Sequence, residues 1–260
     1  RILGKKYLSL NMGVNGYSTD QSLMVLNKYC SSILPDYVVY TFVVNDLRFN
    51  FKGSLQIGNS IYGKPYFDEN MDHVAPQFQR EKVATFRRFG ELKDFLRKHF
   101  ASYSAVVTGI KRLIDTPVPN EVIAISNFIK NDEEQAQLWA NTKKLIEEMK
   151  SVTASCGAEL LLIEDIHSLY ASETLRSAVI AKDNFDIDVP RENIKRIAHD
   201  LKISILQPSF DEISKFKNLN QCEIHWIKDG KLYDGHMTEC GNEFLAQQFV
   251  QQFMRKLKPK

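Results

Sequence analysis

No stretch of the sequence is apolar for long enough to cross a membrane. The longest near-continuous apolar run, "YVVYTFVV" (Tyr37 to Val44), falls far short of the roughly 20 residues that a membrane helix needs, so no membrane span is expected. Charge of one sign is not in excess either. Lys and Arg number 34 against 32 Asp and Glu, a net charge of +2, which gives no argument for nucleic acid or a membrane surface as partner. Cysteine is sparse, at four in 260 residues. No CxxC pair occurs, which argues against a structural zinc site. The even count permits disulfides, but a chain of this length can build a core without them. There is no internal repeat and no low-complexity tract. An initiator Met and a secretory signal are also lacking ahead of "RILGKKYLSLNMG". Two readings follow: an upstream piece is missing, or the domain begins without a leader, in keeping with a soluble, cytoplasmic protein.

What is there is the composition of an ordinary globular protein, 43% apolar and 25% charged. Four apolar segments read as strands: "YLSLNM" (Tyr7 to Met12), "YVVYTFVV", "AELLLIE" (Ala158 to Glu164) and "ISIL" (Ile203 to Leu206). The second and third are nearly continuous, as expected of strands buried on both faces of a parallel sheet. Helical patterns lie between them. "STDQ" (Ser18 to Gln21) has capping-box spacing and opens a segment with Leu23, Leu26 and Cys30 on one face. Leu138, Thr142, Leu145 and Met149 form a second stripe, and Ile194, Ile197 and Leu201 a third, close behind Pro190. Leu245, Phe249, Phe253 and Leu257 form the last. Strand alternating with helix predicts an α/β class with a mostly parallel sheet. Residues 46–135 interrupt the alternation. They are expected to form an insertion or lid within a single domain spanning 1–260. Their aromatic residues Tyr62, Tyr66 and Phe67 are candidates to line a pocket or to pack a core. The Lys- and Arg-rich stretch Arg80 to Arg112 reads as a solvated helix face or an anion-binding surface.

Three short stretches could carry chemistry. In "NMGVNGYSTDQ" (Asn11 to Gln21) a strand pattern ends, glycines follow and a helix begins, which offers free N–H groups at the sheet's carboxyl edge or merely makes a βα turn. In "VVNDLRFN" (Val43 to Asn50), Asn45 follows a buried strand, where its amide could donate to an oxyanion or serve as a turn residue. In "LYDGHMTECGNEFLA" (Leu232 to Ala246), Asp234 and His236 stand on a loop expected ahead of the last helix. A carboxylate there can hold an imidazole in the tautomer a general base requires. The other five histidines lack ligand spacing and read as structural.

Taken in order, Asn-x-Gly-x-x-Gly, Asn-Asp and Asp-Gly-His resemble the motifs of the SGNH/GDSL hydrolase family. "GKPYF" (Gly63 to Phe67) is similar to part of the long insertion in a bacterial subgroup of that family, and "DGHMTECGNEFLA" is similar to its Asp-Gly-His ending. The resemblance implies a flavodoxin-like, three-layer α/β fold. It implies an esterase, lipase or carbohydrate deacetylase acting on a small-molecule or carbohydrate ester through an acyl-serine, with no metal or cofactor needed. Gly16 and Asn45 map onto the oxyanion hole, His236 onto the general base and Asp234 onto its orienting acid. The family's first motif, Gly-Asp-Ser, does not precede Asn11. The nearest imitation, "GNS" (Gly58 to Ser60), lies downstream in the insertion. The nucleophile is therefore unknown, and the strand that would carry it is expected to be missing. A non-catalytic binding domain, or an inactive fragment of such a hydrolase, is the alternative.

Overall fold

The computed structural model describes residues 8–57, 60–68, 70–76, 133–167, 176–177, 187–228 and 231–254; the side chains of 55–57, 60–62, 133–134, 226–228, 231–236 and 254 lie outside that description. The chain divides into two units, 1–47 with 119–260, and 48–118.

In the first unit, α1 (Thr19–Ile33) leads to β1 (Tyr37–Phe42) and the short α2 begins at Asp46 (Asp46–Phe49). Four short strands belong to the second unit: β2 (Ser54–Ile57), β3 (Ser60–Gly63), β4 (Tyr66–Phe67) and β5 (His73–Val74). The first unit resumes with α3 (Glu133–Ser155), β6 (Glu159–Glu164), α4 (Val189–Asp200), β7 (Ser204–Leu206) and α5 (Phe210–Asn220). It ends with β8 (His225–Lys228), β9 (Lys231–Met237) and α6 (Glu239–Phe249), continued by a π-helical turn, Val250–Met254. Leu257, expected on the same stripe, lies outside the described residues.

The sheet is parallel, in the order β1-β6-β7. Tyr37 to Phe42 pair in register with Glu159 to Glu164, and Leu161 to Ile163 with Ser204 to Leu206. β6 is central and buried from Leu160 onward, which is why it reads as an unbroken apolar run. One face of the sheet, Leu161, Ile163 and Leu206, packs on Phe253, with Leu245 and Phe249 beside it. On the other, the Phe42 ring lies 5.8 Å from that of Trp139 on α3, and the Tyr40 hydroxyl reaches α1. Helices thus cover both faces, and each fully buried Leu or Ile contributes roughly 1.5–3 kcal/mol. α1 and α3 lie side by side, and Cys30–Cys156 joins them with Cα atoms 6.0 Å apart.

One expected strand is absent. Leu8 to Met12 form no strand, and Leu8, Leu10, Met12 and Val14 are exposed. Their alternation with Ser9, Asn11 and Gly13 suits a strand, but a strand persists only with a neighbour to take its backbone hydrogen bonds, and none pairs with it among the described residues. β1 has no second neighbour among them either, and its Val39, on the same face as its partner Leu161, is 44% exposed.

The second unit contains two antiparallel pairs, β2 with β3 and β4 with β5. Phe67 is buried and meets His73 edge-on, with centroids 6.3 Å apart. Gly53 leaves room for Tyr66: a Cβ there would stand 2.9 Å from the ring. Tyr66 and Phe67 thus make packing contacts within their own unit. The Tyr62 side chain and the basic stretch Arg80 to Arg112 lie outside the described residues.

Candidate functional site

The first motif ends in a tight turn. The Tyr17 N–H donates to the Val14 carbonyl at 3.1 Å, and Gly16 adopts φ +81°, where a side chain would be strained. Gly16 is exposed, while the next helix start is buried at Ser18, Thr19 and Asp20. The capping box expected of "STDQ" does not form. The Ser18 hydroxyl makes no cap bond and donates instead to Asp20 Oδ1 at 2.6 Å; that oxygen also accepts the Gln21 N–H at 2.8 Å. The ionised Asp20 carboxylate is the stronger acceptor and takes the Gln21 N–H that the Ser18 oxygen would accept in a capping box.

The second motif turns the chain out of β1. The Asp46 and Leu47 N–H groups donate to the Val43 and Val44 carbonyls, at 2.9 and 3.3 Å. Asn45 is exposed and Asp46 buried, so this turn presents the amide outward and drives the carboxylate inward. There Asp46 Oδ2 accepts from the Tyr40 hydroxyl at 2.7 Å and, at 3.3 Å, from Thr19 Oγ1. Thr19 Oγ1 and the Tyr40 hydroxyl are themselves 2.9 Å apart. This buried contact ties the start of α1 to the Asn45 turn. Burial raises Asp46 to about 7, against the lowering effect of the Tyr40 and Thr19 hydroxyls. Burial, helped by the nearby Asp46 charge, also pushes the Tyr40 phenol well up.

The third motif is not a loop. Asp234 and His236 lie on β9, which pairs with β8 in an antiparallel hairpin. The Asp229-Gly230 dipeptide between the two strands is a strong hairpin signal in sequence, and it outweighs the turn suggested by Asp234-Gly235. The register is irregular. His225 faces Met237, but the next residue, Trp226, faces Asp234, and Ile227 faces Leu232. Gly235 and His236 are therefore extra residues on β9, and a bulge of this kind re-aims a strand locally. The side chains of Asp234 and His236 lie outside the described residues.

The backbone carries the three stretches to one end of the sheet. Past β1, the Phe42 carbonyl accepts from the Asp165 N–H at 2.9 Å. The next residue, Ile166, belongs to a buried cluster with Ile213, Ile224 and Phe244, against which Met237 packs. Asn45 thus leaves the sheet three residues after Phe42, and His236 immediately precedes Met237, which packs against the cluster that contains Ile166. The Gly16 turn joins the same end through Thr19 and Asp46.

Two further groups at this end were not legible in the sequence. Glu164, the last residue of β6, is buried with Arg191 of α4 at 3.7 Å. Burial raises it to about 7, against the pull of Arg191. Arg191 also donates to the Pro208 carbonyl at 2.7 Å. His167 and His225 are neighbours, which burial lowers to about 3 and about 4, so both are neutral near pH 7. Sequence separation hides such contacts; the only hint was the charged "ED" at the end of an apolar run. No cluster of three metal-ligating side chains occurs among the described residues. A cleft of about 240 Å³ between α3 and α4, lined by Trp139, Lys143, Asn193 and Arg196, includes none of the four candidate residues. Ser60 begins β3 in the second unit, opposite Ile57, and its side chain is outside the described residues.

No family model, no curated protein and no solved structure matches this chain.

Proposed function

We propose that the chain carries the acid–base and oxyanion parts of an SGNH-type ester hydrolase, of the esterase, lipase or carbohydrate deacetylase class, whose serine comes from a strand outside these 260 residues. The observation that carries this reading is the convergence of the Gly16, Asn45 and His236 backbones on the carboxyl end of one parallel sheet, where ligands bind in open α/β folds. The strand-patterned segment from Leu8 to Met12 and the second side of β1, neither of them paired among the described residues, support it further. On this reading they are the two walls of a slot for one more strand, and the serine would emerge at its carboxyl end.

In the reaction so assigned, His236 takes the serine proton as Oγ attacks the ester carbonyl. The Gly16 N–H and the Asn45 amide donate to the resulting oxyanion. The C–O bond to the alcohol then breaks, with His236 returning the proton to the departing oxygen, and water releases the acid by the same steps. Asp234 holds the imidazole tautomer. The missing Gly-Asp-Ser favours one competing reading, a binding domain or inactive fragment that retains the cleft.

The test begins with the coding sequence upstream of Arg1. A Gly-Asp-Ser roughly 30 to 50 residues upstream, the size of a βα unit with its loop, is expected. The extended chain should hydrolyse p-nitrophenyl acetate. His236→Ala should remove about 10⁴-fold or more of that rate, and Asn45→Ala about 10²- to 10³-fold. An extended chain that is inert, or one whose activity survives both substitutions, sinks the hydrolase reading.

A further inference from the structure

All four cysteines are paired, and the two disulfides hold opposite ends of the sheet. Cys30–Cys156 lies at the amino end, beside the starts of β1 and β6, where the Glu159 N–H donates to the Asp36 carbonyl at 3.0 Å. Cys222–Cys240 lies at the other. Cys222 follows α5 and Cys240 is in the first turn of α6, 18 residues on, with Cα atoms 6.4 Å apart, within the range a disulfide spans. The β8–β9 hairpin, with Asp234 and His236, lies between them.

We propose that Cys222–Cys240 is a positioning clamp for the Asp234–His236 strand, so that the site is set only in the oxidised protein; the role given to that pair rests on the hydrolase reading. The hairpin needs such a clamp. A lone two-stranded hairpin is marginal in water, and here two register shifts interrupt its ladder. Its root is held on the same side by three other contacts. The Thr238 N–H donates to the Ile224 carbonyl at 2.8 Å, and the Thr238 hydroxyl donates to the Glu223 carbonyl. Gly241 packs so closely that a Cβ would stand 2.5 Å from the Ile224 carbonyl oxygen. The disulfide closes the loop that these contacts begin. It fixes the two ends of a segment whose own pairing is weak, four residues along the chain from His236.

Clamping follows thiol–disulfide exchange. Two thiols, Cys222 and Cys240, give up two electrons and two protons to a disulfide donor such as oxidised glutathione or a thiol oxidoreductase, which leaves as two thiols; a dithiol reductant reverses the step. The device therefore suits an oxidising compartment rather than the cytoplasm.

Hydrogen exchange with mass spectrometry tests this on the whole chain without any substrate, so a failed hydrolase reading and a failed clamp are told apart. The oxidised chain, the reduced chain, and the Cys222→Ser/Cys240→Ser and Cys30→Ser/Cys156→Ser variants are compared. Losing Cys222–Cys240 should speed exchange in 223–237 by about 10- to 100-fold, with 159–164 in β6 unchanged. Losing Cys30–Cys156 should leave 223–237 unchanged. The imidazole of His236, followed by NMR titration, should shift between the oxidised and reduced chains, while exposed His199 should not. Unchanged exchange in the hairpin, an equal loss in β6, an unmoved His236, or free thiols at Cys222 and Cys240 in protein made under oxidising conditions would each overturn the clamp.

Discussion

Asp46 sits between two demands. Its backbone must turn the chain out of β1, and its carboxylate is buried beneath Asn45 against Tyr40 and Thr19. The sequence showed the Asn-Asp pair but not this contact, because Tyr40 and Thr19 are reached only when β1 and α1 pack. Its titration gives a sharp test. The folded carboxyl titrates at about 7, against an ordinary 3.8. Between those values the folded chain keeps a proton that the unfolded chain has released. Stability is therefore full below about 4 and falls as pH rises to about 7, by up to about 4 kcal/mol from this group. Glu164 acts in the same direction. His167 and His225 act oppositely: neutral in the fold, they cost stability as pH falls below 6.5. The whole-protein profile is a sum, so the comparison that isolates Asp46 is Asp46→Asn. The variant should match the wild type below about pH 4 and gain on it progressively toward pH 8, as read by urea unfolding. A difference that does not change with pH would show that Asp46 titrates as an ordinary surface acid.

At the scale of elements, legibility followed burial. β6 could be read because a strand covered on both faces is apolar throughout. β1 read the same way, although its Val39 and Thr41 are exposed and it is not buried on both faces. α4 could be read because Ile194, Ile197 and Pro190 mark its buried face and its start. Leu8 to Met12 misled, since alternation reports a capacity for pairing and not a partner. The hairpin was announced by Asp229-Gly230, but attention to Asp234-Gly235-His236 hid it. The disulfides had no sequence signal, for separations of 126 and 18 residues follow no metal or framework spacing. Two element-level outcomes are expected. Thr238 caps α6 by accepting the Gly241 N–H at 3.2 Å, so Thr238→Ala should cost about 1 kcal/mol and loosen the hairpin root as well. The 126-residue separation makes Cys30–Cys156 the larger entropic constraint. Its removal should cost up to about 5 kcal/mol by the loop-entropy estimate. Thermal unfolding of Cys30→Ser/Cys156→Ser should show the larger drop of the two cysteine pairs; an equal or smaller drop would place the effect in native-state packing instead.

For the whole molecule, the pairing of β1, incomplete among the described residues, and the missing nucleophile are one argument on the hydrolase reading. Among the described residues, Leu8, Leu10, Met12 and Val14 are exposed, and so is Val39 on β1; on the hydrolase reading an added strand would cover them. A patch of this kind on a folded chain marks an absent partner or invites aggregation, and an edge with free backbone groups adds to the pull. An imidazole with an oxyanion hole can polarise an ester, but it forms no acyl-enzyme without a hydroxyl within hydrogen-bond reach. Residues 1–260 alone should therefore bind a hydrophobic dye such as ANS and resist a serine-reactive fluorophosphonate. Supplying the serine-bearing strand in the same chain should reverse both: dye binding falls, and one serine is labelled stoichiometrically, in a manner abolished by His236→Ala. The two readouts separate the causes. A chain that loses dye binding but gains no label has found its strand and is no hydrolase, which favours the binding-domain reading. Stoichiometric labelling of residues 1–260 alone, at Ser60 or any other serine, would show that the nucleophile lies within this chain and that the added strand is not needed for catalysis.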